Sequence, residues 1–300
     1  MSERPKIAKA VVPAAGFGTR MLPATKALPK EMLPVAGKPL IQYAIEEAAA
    51  SGIETVIVVV RNQRSLIRAH FNRDLVFESF LADRDLHESI EMVRHLSRIV
   101  NLEFVEQEKP LGLAHAICCA EDLLGQEPFA VLLPDVVVVS EEPVTRQLIR
   151  QHQQRGGSVV AIRKIEPHEV ERHGVVRVEG NADGFPSNLV RVAGLLEKPR
   201  LKDAPSLFGV FGRYLLEPTI WDAIAHTSPD TRGEVQLTDA LNLLCQTELL
   251  SGLCFEGQHY DAGDRAGYLK ANIELSLHDP ELRVPLLQYL AQLQTRNLVS

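Results

Sequence analysis

Cysteine is scarce and unpatterned in this chain: four residues, two of them adjacent (Cys118 and Cys119), with no CxxC and no Cys/His ligand spacing. Such cysteines read as reduced thiols in a cytoplasmic protein, not as a disulfide framework or a zinc module. Positive charge is not in excess either. A formal net charge of −7 argues against a nucleic-acid surface, so any polyanion must meet a local cationic site. Long apolar runs are missing. Val56 to Val60 and Val136 to Val139 are strand-length, far below the roughly 20 residues of a membrane span, so no membrane partner is expected. The N-terminal stretch, with Glu3, Arg4, Lys6 and Lys9 among small residues, shows no signal-peptide core. Repeats and low-complexity linkers are also absent. What remains is 300 residues, 45% hydrophobic and 24% charged, the composition of a soluble globular protein. A chain of this length can bury a large core as one α/β domain with insertions or as two domains.

The informative stretch runs from Lys9 to Pro39. A short apolar run, Ala10 to Pro13, breaks into Ala14, Ala15, Gly16, Phe17 and Gly18 before Thr19 and Arg20. This is the pattern of a strand delivering its end to a ligand, because glycine lets backbone N–H groups approach an anion without a side chain in the way. Arg20, Lys26 and Lys30 then fall within eleven residues of a stretch broken by Pro23, Pro29, Pro34 and Pro39. The prolines keep it stiff and non-helical, so three cations can converge on one polyphosphate. Two familiar glycine loops do not fit. A dinucleotide fingerprint needs a third glycine where Met21 stands, and a P-loop needs Ser or Thr after Gly37-Lys38, where Pro39 stands.

Further along, Pro39 is expected in the first turn of a helix, where Leu40 to Ala48 keep helical spacing until Gly52, and Thr55 to Val60 is a non-alternating β-branched run of the kind covered on both faces. Strand, helix, strand announces a parallel sheet. Residues 63–100 read as mostly helical, with Leu86, Ile90, Val93 and Leu96 on one side, and Leu102 to Val105 as a strand. Pro110 to Gly112 then precede a helical stripe of Leu113, Ala116, Ile117, Ala120, Leu123 and Leu124. A helix start after a third parallel strand faces the ligand-binding edge of the sheet. Gln107, just before it, offers the donor and acceptor that a uracil edge asks for, or is a solvated loop residue. Phe129 to Leu133 is a fourth buried strand ending in Pro134-Asp135. A carboxylate at that end suits Mg²⁺ that also holds phosphates, which makes Asp135 the first metal-ligand candidate. Residues 143–155 read as a helix and Ser158 to Lys164 as the fifth strand. Strands from Gly174 to Val178 and Leu189 to Glu197 follow, joined by a turn over 180–186. A helix carries Leu241, Leu244 and Cys245 with Thr238 or an earlier residue as cap, and Ser251 to Glu256 reads as a strand. Helical spacing at Leu286, Leu290 and Leu293 closes the chain with an amphipathic tail able to pack on the chain itself or on a partner subunit.

The motif Gly16-Phe17-Gly18-Thr19-Arg20, followed by Pro29-Lys30-Glu31-Met32-Leu33-Pro34-Val35, resembles the signature of the sugar-nucleotide pyrophosphorylases, and of their uridylyl-transferring branch in particular. Glu197-Lys198-Pro199 and Gly233-Glu234-Val235-Gln236-Leu237-Thr238-Asp239 match further blocks of that family in order and spacing. The resemblance implies an α/β fold with a Rossmann-like mixed, mostly parallel central sheet flanked by helices, of the nucleotide-diphospho-sugar transferase type, with a sugar-binding subregion. One domain over 1–280 is expected, divided at about residue 140 into nucleotide-binding and sugar-phosphate halves, with a helical tail over 281–300. The implied reaction joins UTP and α-D-glucose 1-phosphate into UDP-glucose and pyrophosphate with Mg²⁺, in a cytoplasmic homodimer or homotetramer. Its rivals are a related enzyme using dTTP or another sugar 1-phosphate, and a catalytically silent regulatory paralogue. By resemblance, Arg20, Lys30 and Lys198 are catalytic. Ala14, Ala15, Gly16, Gly18, Thr19 and Glu31 line the nucleotide, Gln107 and the Gly112 backbone meet the base, Gly174 and Glu197 meet the sugar, and Asp135 and Asp261 hold the metal. Val136, His173, Leu207 and Ala262 depart from the family's usual acid, tyrosine, asparagine and cysteine.

Overall fold

The computed structural model describes residues 4–61, 66–179 and 187–296. The expected turn over 180–186 and the first residues of the 63–100 segment therefore lie outside the described residues. In chain order, strand β1 (Lys9–Ala14) leads through three short 3-10 turns, Thr19–Met21, Ala24–Lys26 and Lys30–Met32, into a small hairpin of β2 (Pro34–Val35) and β3 (Lys38–Pro39). Then come α1 (Leu40–Ala50), β4 (Thr55–Val60), α2 (Leu66–Phe71), α3 (Leu75–Ala82), α4 (His87–Leu96) and β5 (Asn101–Glu106). Helices α5 (Leu113–Cys118) and α6 (Glu121–Leu124) precede β6 (Phe129–Leu132), β7 (Val136–Val139), α7 (Val144–Arg155) and β8 (Ser158–Lys164). The second half holds β9 (Gly174–Glu179), β10 (Leu189–Glu197), β11 (Phe208–Leu216), α8 (Ile220–Ala225), α9 (Leu237–Leu244), β12 (Leu250–Cys254), β13 (Gln258–Asp261), α10 (Arg265–His278) and α11 (Pro280–Thr295).

Among the described residues nine strands form one sheet in the order β5-β4-β1-β6-β11-β8-β12-β10-β9. Strands β5, β4, β1 and β6 run parallel, while β11 and β10 run against their neighbours. The parallel half has the all-apolar strands that burial on both faces demands: Val56 to Val60 in β4 are all at most 1% exposed. One face of the sheet packs on Ile41, Ile45, Leu148 and Ile149 of α1 and α7, and the other on Ala114, Ile117, Ile220 and Leu241 of α5, α8 and α9. A third, smaller core of Met21, Leu33, Val35, Val137, Tyr260 and Leu275 fastens the proline-broken stretch to β7, β13 and α10. That core is why a segment with so little regular structure holds one shape.

Three local expectations are refined. The stripe over 113–124 is two helices, broken at Ala120 (φ −99°, ψ 0°), and Leu123 faces out at 40% exposed. Pro39 precedes the first turn of α1 and does not occupy it. Gln236 holds the N-cap position of α9 without a side-chain capping bond, and Thr238 lies inside the helix with its hydroxyl donated to Glu197 at 2.7 Å.

Candidate active site

The strand ends of the parallel half open onto a cleft with two lobes. Its floor is the glycine loop after β1. Gly18 sits in the left-handed region (φ 61°), and a Cβ there would lie 3.0 Å from both Lys30 Cβ and Thr25 Cγ2. The Thr25 hydroxyl also donates to the Gly18 carbonyl at 2.7 Å. Only glycine lets the loop fold this closely onto the turn that carries Lys30.

Two acids far apart in sequence are brought together by a two-stranded ribbon. Strand β13 pairs antiparallel with β7, setting Asp261 opposite Val136, and the Ala262 N–H donates to the Asp135 carbonyl at 2.8 Å. A Cβ placed on Gly263 would sit 2.9 Å from Asp261 Oδ1, 3.4 Å from Asp135 Oδ2 and 4.0 Å from Arg20 Nη1. Glycine at 263 thus leaves a gap walled by two carboxylates and one guanidinium. Among the described residues no cluster of three or more His, Cys, Asp or Glu side chains is arranged to hold a metal. A hard divalent ion that takes one or two carboxylates and completes its shell with ligand phosphates and water fits this donor set.

Lys30 Nζ donates to Asp135 Oδ2 at 2.7 Å and lies 4.0 Å from Glu31 Oε1. Burial alone would lower the Lys30 pKa, but Asp135 and then Glu31 outweigh it and the ammonium is raised. Burial likewise pushes Asp135 up, yet Lys30 beside it brings the carboxyl below its usual range. Glu31 is fully buried with no hydrogen-bond partner on either carboxylate oxygen. Burial raises its pKa to about 7, with Lys30 opposing.

The Asp135 corner is held from behind. Arg213 on β11, 1% exposed, donates to the carbonyls of Leu133 at 2.9 Å and Val136 at 2.8 Å, which flank Pro134-Asp135. Its remaining N–H groups meet Glu47 of α1 at 2.8–3.1 Å and the Gly212 carbonyl at 3.1 Å.

The first lobe, about 390 Å³, is lined by Ala15, Gly16, Gly18, Thr19, Lys30, Glu31, Gln107, Gly112 and Asp135. The second, about 440 Å³, is lined by Arg20, Lys30, Asp135, Gly174, Glu197, Lys198 and Asp261. Gly16, Lys30, Leu113, Leu133, Asp135 and Glu234 belong to both lobes. In the second lobe Lys198 stands in the left-handed region (φ 44°) with its ammonium 2.7 Å from Glu197. Ala14 lines neither lobe but a neighbouring hollow with Phe17 and Arg61, because its side chain belongs to the core that packs on α1 and α7.

Two side chains of the cleft, Tyr214 and Arg172, and the Arg213–Glu47 pair behind it escape the sequence reading of the site. Burial, then Glu197 and Asp135, raises the Tyr214 phenol, so it meets the second lobe as a neutral hydroxyl. A lone arginine inside the apolar run Phe208 to Leu216 was the available signal for a buried ion pair.

A glycine-floored pocket joined through Lys30 and Asp135 to a second, polar pocket gives an α/β fold two adjoining binding lobes, the layout of a group-transferring enzyme. The chain belongs to the nucleotidyl transferase family, whose profile matches residues 9–276. It is 43% identical over 288 residues to the UTP–glucose-1-phosphate uridylyltransferase YngB of Bacillus subtilis, covering 96% of this chain and 95% of that one. Its fold superposes on the UTP-bound UDP-glucose pyrophosphorylase of Acinetobacter baumannii with a TM-score of 0.86 at 33% identity, covering 96% and 100% of the two chains. A UDP-glucose pyrophosphorylase solved with UDP-glucose gives 0.81 at 35% identity, covering 90% and 98%.

Proposed function

We propose that this protein makes UDP-glucose and pyrophosphate from UTP and α-D-glucose 1-phosphate. The observation that carries the reading is the junction of the two lobes at Lys30 and Asp135. A nucleoside triphosphate in the first lobe and a sugar phosphate in the second would meet there. The nucleotide half, about 1–140, and the sugar-phosphate half, about 141–280, then serve one reaction.

Phosphoryl-type transfer asks the protein mainly for positioning and charge neutralisation. The glucose 1-phosphate oxygen attacks the α-phosphorus in line, the bond to the bridging oxygen breaks, and pyrophosphate leaves. No general base is required, since a phosphate monoester is already ionised at neutral pH. Arg20 neutralises the departing β,γ-phosphates, Lys30 the α-phosphate, and Lys198 the sugar phosphate. Glu197 accepts from sugar hydroxyls, its carboxylate aimed by Thr238. Asp135 and Asp261 would hold Mg²⁺, which supplies charge neutralisation at the triphosphate oxygens when bound. Gln107 and the Gly112 backbone meet the base. Four free cysteines fit a cytoplasmic setting.

The test is pyrophosphate release with UTP, glucose 1-phosphate and Mg²⁺, run beside dTTP and other sugar 1-phosphates. The expected result is the highest kcat/KM for UTP with glucose 1-phosphate. Preference for dTTP or another sugar would move the assignment within the family, and UTP binding without turnover on any sugar phosphate would overturn it.

A further inference from the structure

Gln107 is 6% exposed and sits at the wall of the first lobe. Its amide nitrogen lies 3.1 Å from the Gly112 carbonyl and 2.9 Å from His115 Nδ1. A carbonyl can only accept, so the nitrogen end of the amide must face Gly112. That carbonyl is itself fixed. The Val235 N–H donates to the Leu111 carbonyl at 2.7 Å and the Ala114 N–H to the Val235 carbonyl at 3.1 Å, and Gly112 holds a left-handed φ of 97° against Val235. The second amide N–H meets His115 Nδ1, which must therefore be the unprotonated nitrogen of the ring. Cys119 Sγ lies 3.8 Å from the same nitrogen. Nδ1 has one lone pair, which the Gln107 N–H takes at 2.9 Å, and the thiol is the longer contact. Both amide protons of Gln107 are thus committed inside the protein, and its Oε1 has no hydrogen-bond partner among the described residues.

We infer that His115 is a positioning residue that sets nucleobase preference, by locking the Gln107 amide so that only an acceptor faces the base. The inference rests on the reading that a base occupies this lobe. A locked Oε1 accepts from the imide N–H of uracil or thymine. It repels the ring-nitrogen lone pair that cytosine presents at the same position. Reading cytosine would require turning the amide over, which breaks both bonds and sets Oε1 against the Gly112 carbonyl. Removing the His115 acceptor takes away one of the two bonds holding the amide. Uracil and thymine share the imide edge, so their ratio is blind to the lock.

The experiment compares wild type, His115→Phe and His115→Asn. Equilibrium Kd values for UTP, dTTP and CTP are read without sugar phosphate, and kcat/KM with it. In His115→Phe the UTP-over-CTP ratio is expected to fall about tenfold, the worth of one hydrogen bond, mostly through KM, with UTP-over-dTTP unchanged. His115→Asn, whose side-chain oxygen can accept near the place of Nδ1, is expected to restore the ratio. An unchanged UTP-over-CTP ratio, or an equal loss for all three nucleotides, overturns the lock. Should His115→Phe not fold, a His115→Ala protein with an unaltered ratio does the same. Binding that discriminates as expected in a protein that never releases pyrophosphate would refute uridylyl transfer and leave the lock standing.

Discussion

Lys30 and Glu31 are neighbours with opposite electrostatic fates. Lys30 is the counter-ion of Asp135 at 2.7 Å, and in the proposed reaction the same ammonium faces the α-phosphate. Lys30→Ala should lower kcat by on the order of 10²- to 10³-fold, by analogy with loss of one oxyanion-hole donor. Single-turnover pyrophosphate release reads this directly, and a near-normal rate would remove Lys30 from the reaction. Glu31 gives a pH effect of unusual sign. Its carboxyl is raised from 4.5 to about 7 by burial. Between those values the folded state holds a proton that the unfolded chain has released, so this group's contribution falls as pH rises from about 4.5 to about 7. Glu31→Gln cannot ionise. It should stabilise the ligand-free protein by on the order of 3 kcal/mol above pH 8, the equivalent of the rise from 4.5 to about 7, and do nothing below pH 4.5. Urea unfolding at pH 5 and pH 8 checks this, and equal effects at both would show that the buried carboxyl is not the source.

At the scale of elements, the loop 230–236 braces the base-facing corner. A Cβ on Gly112 would lie 2.6 Å from the Val235 carbonyl oxygen and 2.8 Å from its nitrogen, at a φ of 97°. Gly112→Ala must therefore displace backbone, at a stability cost of about 1–3 kcal/mol and with a raised KM for UTP. The β6–β7 corner depends instead on Arg213 and Glu47. Arg213→Met leaves the Glu47 carboxylate, 9% exposed, without its counter-ion and with only the Thr145 N–H and hydroxyl as donors, and should cost about 3–5 kcal/mol. Pairing it with Glu47→Leu should recover part of that stability while turnover stays low, because the carbonyls flanking Asp135 remain unclamped. Full recovery of rate would show that the clamp serves stability alone. These two elements also mark what the sequence made legible. Asp135 reads as an acid at a strand end, and the Gly16 to Arg20 loop as an anion corner, because each is a local pattern of a strand giving way to a turn. The Arg213–Glu47 pair and the 230–236 brace join residues distant in the chain. No periodicity encodes a hydrogen bond from β11 to the flanks of Asp135, and Thr238 looks like a helix cap until Glu197 is seen to hold its hydroxyl.

Across the whole molecule, the two halves of the sheet differ in construction and share one cleft. The parallel half was readable from unbroken runs such as Thr55 to Val60. The other half was less so, because β11 and β10 run against their neighbours and β11 crosses between β6 and β8. The chain's end raises a different question. Helix α11 spans 16 residues, packs on α10 and buries none of its side chains. It leaves Leu282, Val284, Leu287 and Tyr289 between 39% and 57% exposed. An isolated helix of that length is marginal in water, and most helical stability comes from packing an apolar face. A second copy of the chain is the covering we expect, giving a homodimer or homotetramer. Light scattering at micromolar concentration should then return a multiple of the 33.2 kDa chain mass. A chain ending at Asp279 should run as a monomer that still turns over UTP, since no residue of α11 lines either lobe of the cleft. A monomeric full-length protein would leave the exposed face of α11 without that purpose. A truncated chain that remains oligomeric would place the contact on another surface.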